Sequence, residues 1–234
     1  MNAKESPIIK VIIPAMNEEK SIGKVVKDIP SMVKEVIVVN NRSTDHTAAE
    51  AKKAGATVLQ EDRAGYGYAC LKGIEYVKAQ DTHPDIIVFM DGDYSDYPEE
   101  LPKVIAPIIE NGVDMVIGSR ALGQREAGSM TIPQIFGNWL ATTLLRWFYG
   151  VRFSDLGPFR AIRYEKLLAM NMIDKTYGWT VEMQVKAAKL GMKSTEVPVT
   201  YRQRIGYSKV SGTVKGTIMA GYKILWTIFK YSLR

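Results

Sequence analysis

Along the first half of the chain, apolar β-branched runs alternate with segments of helical periodicity, regularly enough to place elements. Lys10–Pro14 (KVIIP), Glu35–Val39 (EVIVV) and Asp85–Met90 (DIIVFM) read as strands. A short strand is expected at Thr57–Leu59 and another within Val113–Arg120 (VDMVIGSR). Between them Glu18–Ile29, Thr44–Ala54 and Tyr68–Ala79 read as helices, the second ended by Gly55. The strands are continuous apolar runs, as expected when both faces of a parallel sheet are covered by helices. The predicted fold class is therefore α/β, a mostly parallel, Rossmann-like sheet flanked by helices. Later the pattern changes. Pro133–Val151 is apolar and aromatic with Arg146 as its single charge, and Val214–Leu233 sets Lys215, Lys223 and Lys230 among Tyr222, Trp226, Phe229 and Tyr231.

In open sheets of this kind ligands bind beyond the carboxyl ends of the strands. Three polar segments fall there: Pro14-Ala15-Met16-Asn17-Glu18-Glu19, Asn40-Asn41-Arg42-Ser43-Thr44-Asp45 and Asp91-Gly92-Asp93-Tyr94-Ser95-Asp96. All three should share one edge. Asp91 and Asp93, separated by a small residue, could reach one divalent cation that neutralises a diphosphate. Gly92 would let the backbone approach that ligand. The plainer alternative is local: Asn17, Glu18, Asn41, Ser43 and Asp45 also suit helix caps, and Asp96 with Pro98 suits the start of the next helix.

Composition narrows the chemistry. The 234 residues are 46% hydrophobic and 24% charged, a folded balance, and the absence of repeats, low-complexity tracts and long linkers favours one domain. The single cysteine, Cys70, excludes an intramolecular disulfide and a cysteine-based zinc site, and the only histidines are His46 and His83. A metal would therefore be held by carboxylates, which favours Mg²⁺ or Mn²⁺. The net charge of +6 fits nucleic acid, an anionic membrane or a phosphate-bearing substrate. Scattered lysines, with acidic residues at the strand ends, argue against nucleic acid. The N-terminus lacks an apolar signal core, and no run of about 20 apolar residues suggests a membrane span, so a cytoplasmic location is expected.

The segments VIIPAMNEE, VVNNRSTDHT, DRAGYGYA, DGDYSDYPEELP, GSR, SDLGPFRAIR, GWTVEMQVKAAKLG and VPVTYRQRIGYSK, in unbroken order from Lys10 to Lys209, resemble the family 2 glycosyltransferases. Within that family they are most similar to the dolichol-phosphate mannose and related polyprenyl-phosphate hexose synthases. The resemblance implies a GT-A fold and inverting transfer of a hexose, glucose or mannose, from a UDP- or GDP-sugar to a polyprenyl phosphate. It implies that Pro14, Met16, Glu18, Val39 and Asn41 line the nucleotide pocket, and that Asp91, Gly92 and Asp93 hold metal and diphosphate. By the same resemblance Arg120 contacts phosphate or donor sugar, while Arg204 and Lys209 close a basic loop over the diphosphate. Two departures matter. Asn40-Asn41 stand where the family commonly has two acidic residues, which opens the choice between UDP and GDP, with a lean to UDP. The loop between Arg204 and Lys209 is a residue shorter than in the mannose synthases, so Arg202 is the alternative to Arg204.

A phosphate acceptor is already an oxyanion and needs no strong base, whereas a hydroxyl acceptor does. Glu182 is the candidate base, with a helix-start carboxylate as its plainer reading. Asp155 fits either a cap or a pocket residue, and Arg125 is a candidate for the acceptor phosphate. The expected organisation is a catalytic domain over residues 1–212, containing a candidate interfacial helix at 133–151, followed by an amphipathic helix at 213–234. Lys223 and Lys230, seven apart, would meet anionic lipid from one helix face, making the chain a peripheral membrane protein. Packing against the catalytic domain or a partner subunit is the alternative, and leaves a homo-oligomer possible. Other functions weighed are transfer to a soluble or hydroxyl acceptor, a sugar nucleotidyltransferase, which should carry a Gly-rich triphosphate loop, and a nucleic-acid-binding protein.

Overall fold

The computed structural model describes residues 6–208 and 213–232. The strands are β1 (Ile9–Ala15), β2 (Glu35–Asn41), β3 (Thr57–Glu61), β4 (Ile86–Phe89), β5 (Met115–Ser119), β6 (Arg160–Arg163) and β7 (Ser194–Pro198). They form one sheet in the order β3-β2-β1-β4-β6-β5-β7. Every pairing is parallel except those of β6, which runs antiparallel to both β4 and β5. The helices are α1 (Ile22–Asp28), α2 (Thr47–Lys53), α3 (Tyr66–Lys78), α4 (Leu101–Asn111), α5 (Ile132–Tyr149), α6 (Tyr164–Met170), α7 (Trp179–Lys189) and α8 (Val214–Ser232). This is the mostly parallel, helix-flanked sheet expected of a GT-A fold.

The continuous apolar strands are explained by burial on both faces. On β1, Ile9, Val11 and Ile13 pack into one core with α1 and α4. Ile12 points the other way, joining Ile37, Val39 and Phe89 against α3 and α7. Full burial of each such side chain contributes about 1.5–3 kcal/mol, so both layers reinforce the sheet. A third cluster ties α5, α7 and α8 together through Leu144, Leu145, Val181, Val185 and Ile228.

Several boundaries move, for local reasons. α1 begins at Ile22, not Glu18, because Asn17 takes a left-handed φ of 55° and directs its side chain to the neighbouring loop. α2 begins at Thr47, not Thr44, where Asp45 Oδ1 accepts from the Thr47 amide at 3.0 Å. β2 runs on through Asn40 and Asn41, which pair in register with Gln60 and Glu61. The pattern does not announce β6, whose sequence RAIR begins and ends on arginine. Arg160 is fully buried because backbone carbonyls of Leu156, Gly157 and Thr180 accept from its guanidinium.

Candidate active site

The carboxyl ends of β1, β2 and β4 open into one cavity of about 310 Å³. Pro14, Met16 and Glu18 line it from β1, Asn41 from β2, and Asp91, Gly92 and Asp93 from β4. Arg204 enters from the loop after β7. The polar strand ends expected to share an edge are therefore walls of the same space.

Side chain–backbone hydrogen bonds hold these loops in place. Asn17 Oδ1 accepts from the Thr44 amide at 2.8 Å, and the Asn17 amide donates to Ser43 Oγ at 3.0 Å. The Glu18 amide donates to Thr47 Oγ1 at 2.7 Å. Asn17 and Glu18 thus bind the loop after β1 to the loop after β2 and cap no helix of their own. Asn41 donates to the carbonyls of Glu61 and Arg63 and accepts from the Gly65 amide at 2.9 Å. Those bonds use both donors of the amide, so Asn41 organises the cavity wall where base recognition was expected of it. Gly92 has a packing reason as well: a Cβ there would stand 3.3 Å from Ile22 Cδ1 and 3.4 Å from Ala15 Cβ.

The charge arrangement is compact. Asp93 Oδ1 accepts from the Ser95 amide and hydroxyl, and its Oδ2 lies 3.1 Å from Arg204 Nη2. The same nitrogen lies 3.0 Å from Glu18 Oε1, so one guanidinium bridges two carboxylates. Asp91 Oδ1 is buried with no hydrogen-bond partner. Burial, and next the charge of Asp93, push the Asp91 carboxyl up to about 7. Asp96 lies beneath with both oxygens unpartnered, and burial followed by the charges of Asp91 and Asp93 drives it well above the usual carboxylate range. Among the described residues no group of three or more histidine, cysteine, aspartate or glutamate side chains is placed to hold a metal. The Asp91–Asp93 pair nevertheless suits Mg²⁺ or Mn²⁺, because such ions take a carboxylate or two and complete their shell with water and substrate phosphate. The orphaned Asp91 oxygen is the kind of ligand they use.

Other expected site residues lie elsewhere. Val39 is fully buried in the core, the wrong place for a pocket residue, because its side chain turns into the layer under α3. Arg120 does not line the cavity. Its Nε and Nη2 donate to Asp155 at 2.8 and 2.7 Å, which settles Asp155 as its anchor, and its guanidinium lies 5.0 Å from the Tyr201 ring centre. Arg202 donates to the carbonyls of Tyr94 and Asp96 between the rings of Tyr94 and Tyr97, leaving Arg204 as the arginine of the cavity. Arg125 faces Met130 at the surface. Glu182 is fully buried outside this cavity, accepting from the amides of Ile173 and Asp174 and lining a second cavity that shares Thr176 with the first. Lys209 lies outside the described residues. Ala64, Gly65 and Tyr66, after β3, complete the wall with Thr176 and Tyr177 beside them. The glycines of DRAGYGYA were the available signal, since a Cβ on Gly65 or Gly67 would overlap the backbone of Lys175 or Asp174.

The helical end is different. Thr131 and Gln134 form a capping box at the start of α5, and Gly150 closes it at a φ of 68°. The helix exposes Ile132 (83%), Phe136, Trp139 and Trp147 (75%). On α8 the exposed stripe is Ile218, Tyr222, Trp226 and Phe229, and Phe148 meets Phe229 edge-on at 5.3 Å. Lys223 turns from this stripe to pair with Asp174 at 3.1 Å, and exposed Lys215 is the lysine that stays beside the apolar stripe, one heptad before Tyr222. No helix among the described residues is long and apolar enough to cross a membrane.

Comparison with known proteins gives one family, two relatives and one solved structure. The model of the family described as "Glycosyl transferase family 2" matches residues 10–169. Over 215 residues the chain is 35% identical to an uncharacterized glycosyltransferase of Mycobacterium tuberculosis, covering 91% of this chain and 94% of that one. It is 33% identical over 210 residues to a dolichyl-phosphate hexose transferase of Haloferax volcanii, covering 86% of each. Among solved structures, the glucosyl-3-phosphoglycerate synthase of M. tuberculosis, in complex with Mn²⁺, UDP and glucosyl-3-phosphoglycerate, superposes with a TM-score of 0.75 at 22% identity. That match covers 97% of this chain and 80% of the synthase.

Proposed function

The chain belongs to glycosyl transferase family 2, and on that premise we propose that it transfers a hexose from a UDP- or GDP-sugar to a polyprenyl phosphate, with inversion, at a membrane surface. The observation that carries this reading is the strand-end cavity, where two aspartates, one with an orphaned buried oxygen, face a single arginine. Asp91 and Asp93 would hold Mg²⁺ or Mn²⁺, which supplies charge neutralisation for the departing nucleoside diphosphate. Arg204 is shared between Glu18 and Asp93, within reach of the same diphosphate, and a guanidinium can bind phosphate through two parallel hydrogen bonds. Pro14, Met16 and the Asn41-anchored wall form the nucleotide side.

One observation and one chemical argument support a phosphate acceptor. Glu182, the candidate base for a hydroxyl acceptor, is occupied by backbone amides outside the donor cavity. A lipid phosphate is ionised at neutral pH, so positioning and charge neutralisation can carry the rate. The exposed apolar stripes of α5 and α8 fit a helix pair lying in the headgroup region of a bilayer, consistent with the acceptor in the Haloferax relative's name. A soluble phosphorylated acceptor is the second reading, favoured by the likeness to the phosphoglycerate-using synthase.

A thermal-shift panel of UDP- and GDP-sugars with Mn²⁺ tests the donor side. One donor is expected to raise the melting temperature only when metal is present. Stabilisation by none of them would overturn the proposal.

A further inference from the structure

The loop between α6 and α7 supplies Thr176 and Tyr177 to the donor cavity, yet what holds it lies on its other side. Glu182, in the first turn of α7, accepts from the amides of Ile173 at 3.2 Å and Asp174 at 2.7 Å. Asp174 in turn accepts from the amides of Thr176 at 2.8 Å and Gly178 at 3.1 Å. Two carboxylates therefore fix four backbone amides, those of Ile173, Asp174, Thr176 and Gly178, in one short loop. Both are contacted by α8: the Tyr231 hydroxyl donates to Glu182 Oε1 at 2.7 Å, beside the Lys186 ammonium of α7 at 2.8 Å from the same oxygen, and Lys223 Nζ lies 3.1 Å from Asp174 Oδ2.

Further contacts show that the helix is seated closely here. A Cβ on Gly178 would stand 2.5 Å from Asp174 Oδ2 and 2.8 Å from Thr227 Oγ1 of α8, so only glycine lets the helix come this near. Lys189 of α7 donates to the Tyr231 carbonyl at 2.9 Å. On the cavity side the Tyr68 amide, in the first turn of α3, donates to the Lys175 carbonyl at 3.1 Å. The loop is thus pinned between α3, which carries the donor wall, and α8, the last described element of the chain. A second cavity of about 340 Å³ lies between loop and helix, lined by Lys175, Lys223, Lys230 and Trp226, and shares Thr176 with the first.

We propose that Tyr231 and Lys223 are positioning residues: from α8 they hold the 173–177 loop, through Glu182 and Asp174, where Thr176 and Tyr177 complete the donor cavity. The inference rests on the reading of that cavity as a nucleotide-sugar site. It gives buried Glu182 a task that needs no proton transfer, and it makes donor affinity depend on how α8 is seated.

The test uses the full chain and the variants Tyr231→Phe, Lys223→Ala and Lys223→Arg, with hydrogen exchange and steady-state kinetics on each. Loss of a hydrogen bond to a charged group is expected to raise the donor KM about tenfold in Tyr231→Phe and Lys223→Ala, with kcat within about twofold. Lys223→Arg should restore the donor KM, because it keeps the ion pair. Amides 173–178 should exchange faster in the first two variants while those of β1 and β4 stay protected. Unchanged exchange, or faster exchange with an unchanged donor KM, would overturn the proposal. Failure of the wild-type chain to bind any nucleotide-sugar would strike the functional reading instead, and the exchange of amides 173–178 would still decide whether α8 holds the loop.

Discussion

The donor cavity and the α5–α8 face are built on opposite terms. Around the cavity, polar side chains are spent on neighbouring backbone: Asn17 on Thr44, Thr47 on Glu18, and Asn41 on Glu61, Arg63 and Gly65. At the α5–α8 face, large apolar side chains such as Trp147 and Ile132 have solvent where packing would be expected. A cavity that needs exact spacing of charges is cross-linked by directional bonds, which resist small displacements. A face that meets a fluid surface needs area and no fixed partner. Mutations at the first should act on chemistry and those at the second on location.

The largest effect is expected inside the cavity. Asp93→Ala should lower metal-dependent turnover by about 10³-fold with the fold intact by circular dichroism, since it removes a ligand of the metal that would neutralise the charge developing on the diphosphate. Full activity in that variant would remove the metal site from the account. The matching break on the other side is Trp139→Glu combined with Trp147→Glu. Replacing two exposed aromatics by two charges should weaken vesicle association on the order of a hundredfold in a sedimentation assay. Donor affinity should stay unchanged, and a parallel loss of donor binding would erase the division between the two regions.

A third test concerns Asp91. Its carboxyl is pushed up to about 7 by burial and the Asp93 charge, so a proton competes with metal there. Mn²⁺ should bind about tenfold more weakly at pH 6 than at pH 8 by calorimetry. Because the folded value lies above the unfolded one, protonation stabilises the metal-free fold. That gain is present below the unfolded value and is lost as pH rises through about 7. Asn41→Ala should show a binding curve with the same pH dependence; a curve flattened by that change would place the titration elsewhere.

The smallest effect sharpens the role of Asn41. Asn41→Asp keeps the bond from the Gly65 amide but turns the groups facing the Glu61 and Arg63 carbonyls into acceptors. It should cost about 1–3 kcal/mol of stability in urea and raise the donor KM several-fold. An unaltered protein would mean that the loop is held by other contacts.

What the sequence made legible followed from periodicity and from ends. Buried strands announce themselves as apolar runs, and the polar residues after β1, β2 and β4 do converge on one cavity. Less legible were features whose meaning depends on contacts distant in sequence. Arginine is a residue type rarely buried, yet carbonyls from two segments bury Arg160 in the sheet. Val39 reads as a pocket residue beside Asn41, but strand alternation cannot say how deep the core reaches. Glu182 reads as a base, but the amides of Ile173 and Asp174, Lys186 one turn on and Tyr231 from α8 take up its oxygens, and only the last-turn lysine is readable from spacing. Lys223 and Lys230 read as an outward stripe, yet both line the cavity beneath α8.

The most direct measurement is transfer itself, with radiolabelled UDP-glucose or GDP-mannose, Mn²⁺ and a polyprenyl phosphate in detergent, followed by partition between water and organic solvent. Label is expected in the organic phase, dependent on metal and lost in Asp93→Ala. Label that stays in water, or moves only to a soluble phosphorylated acceptor such as phosphoglycerate, would contradict transfer to the lipid.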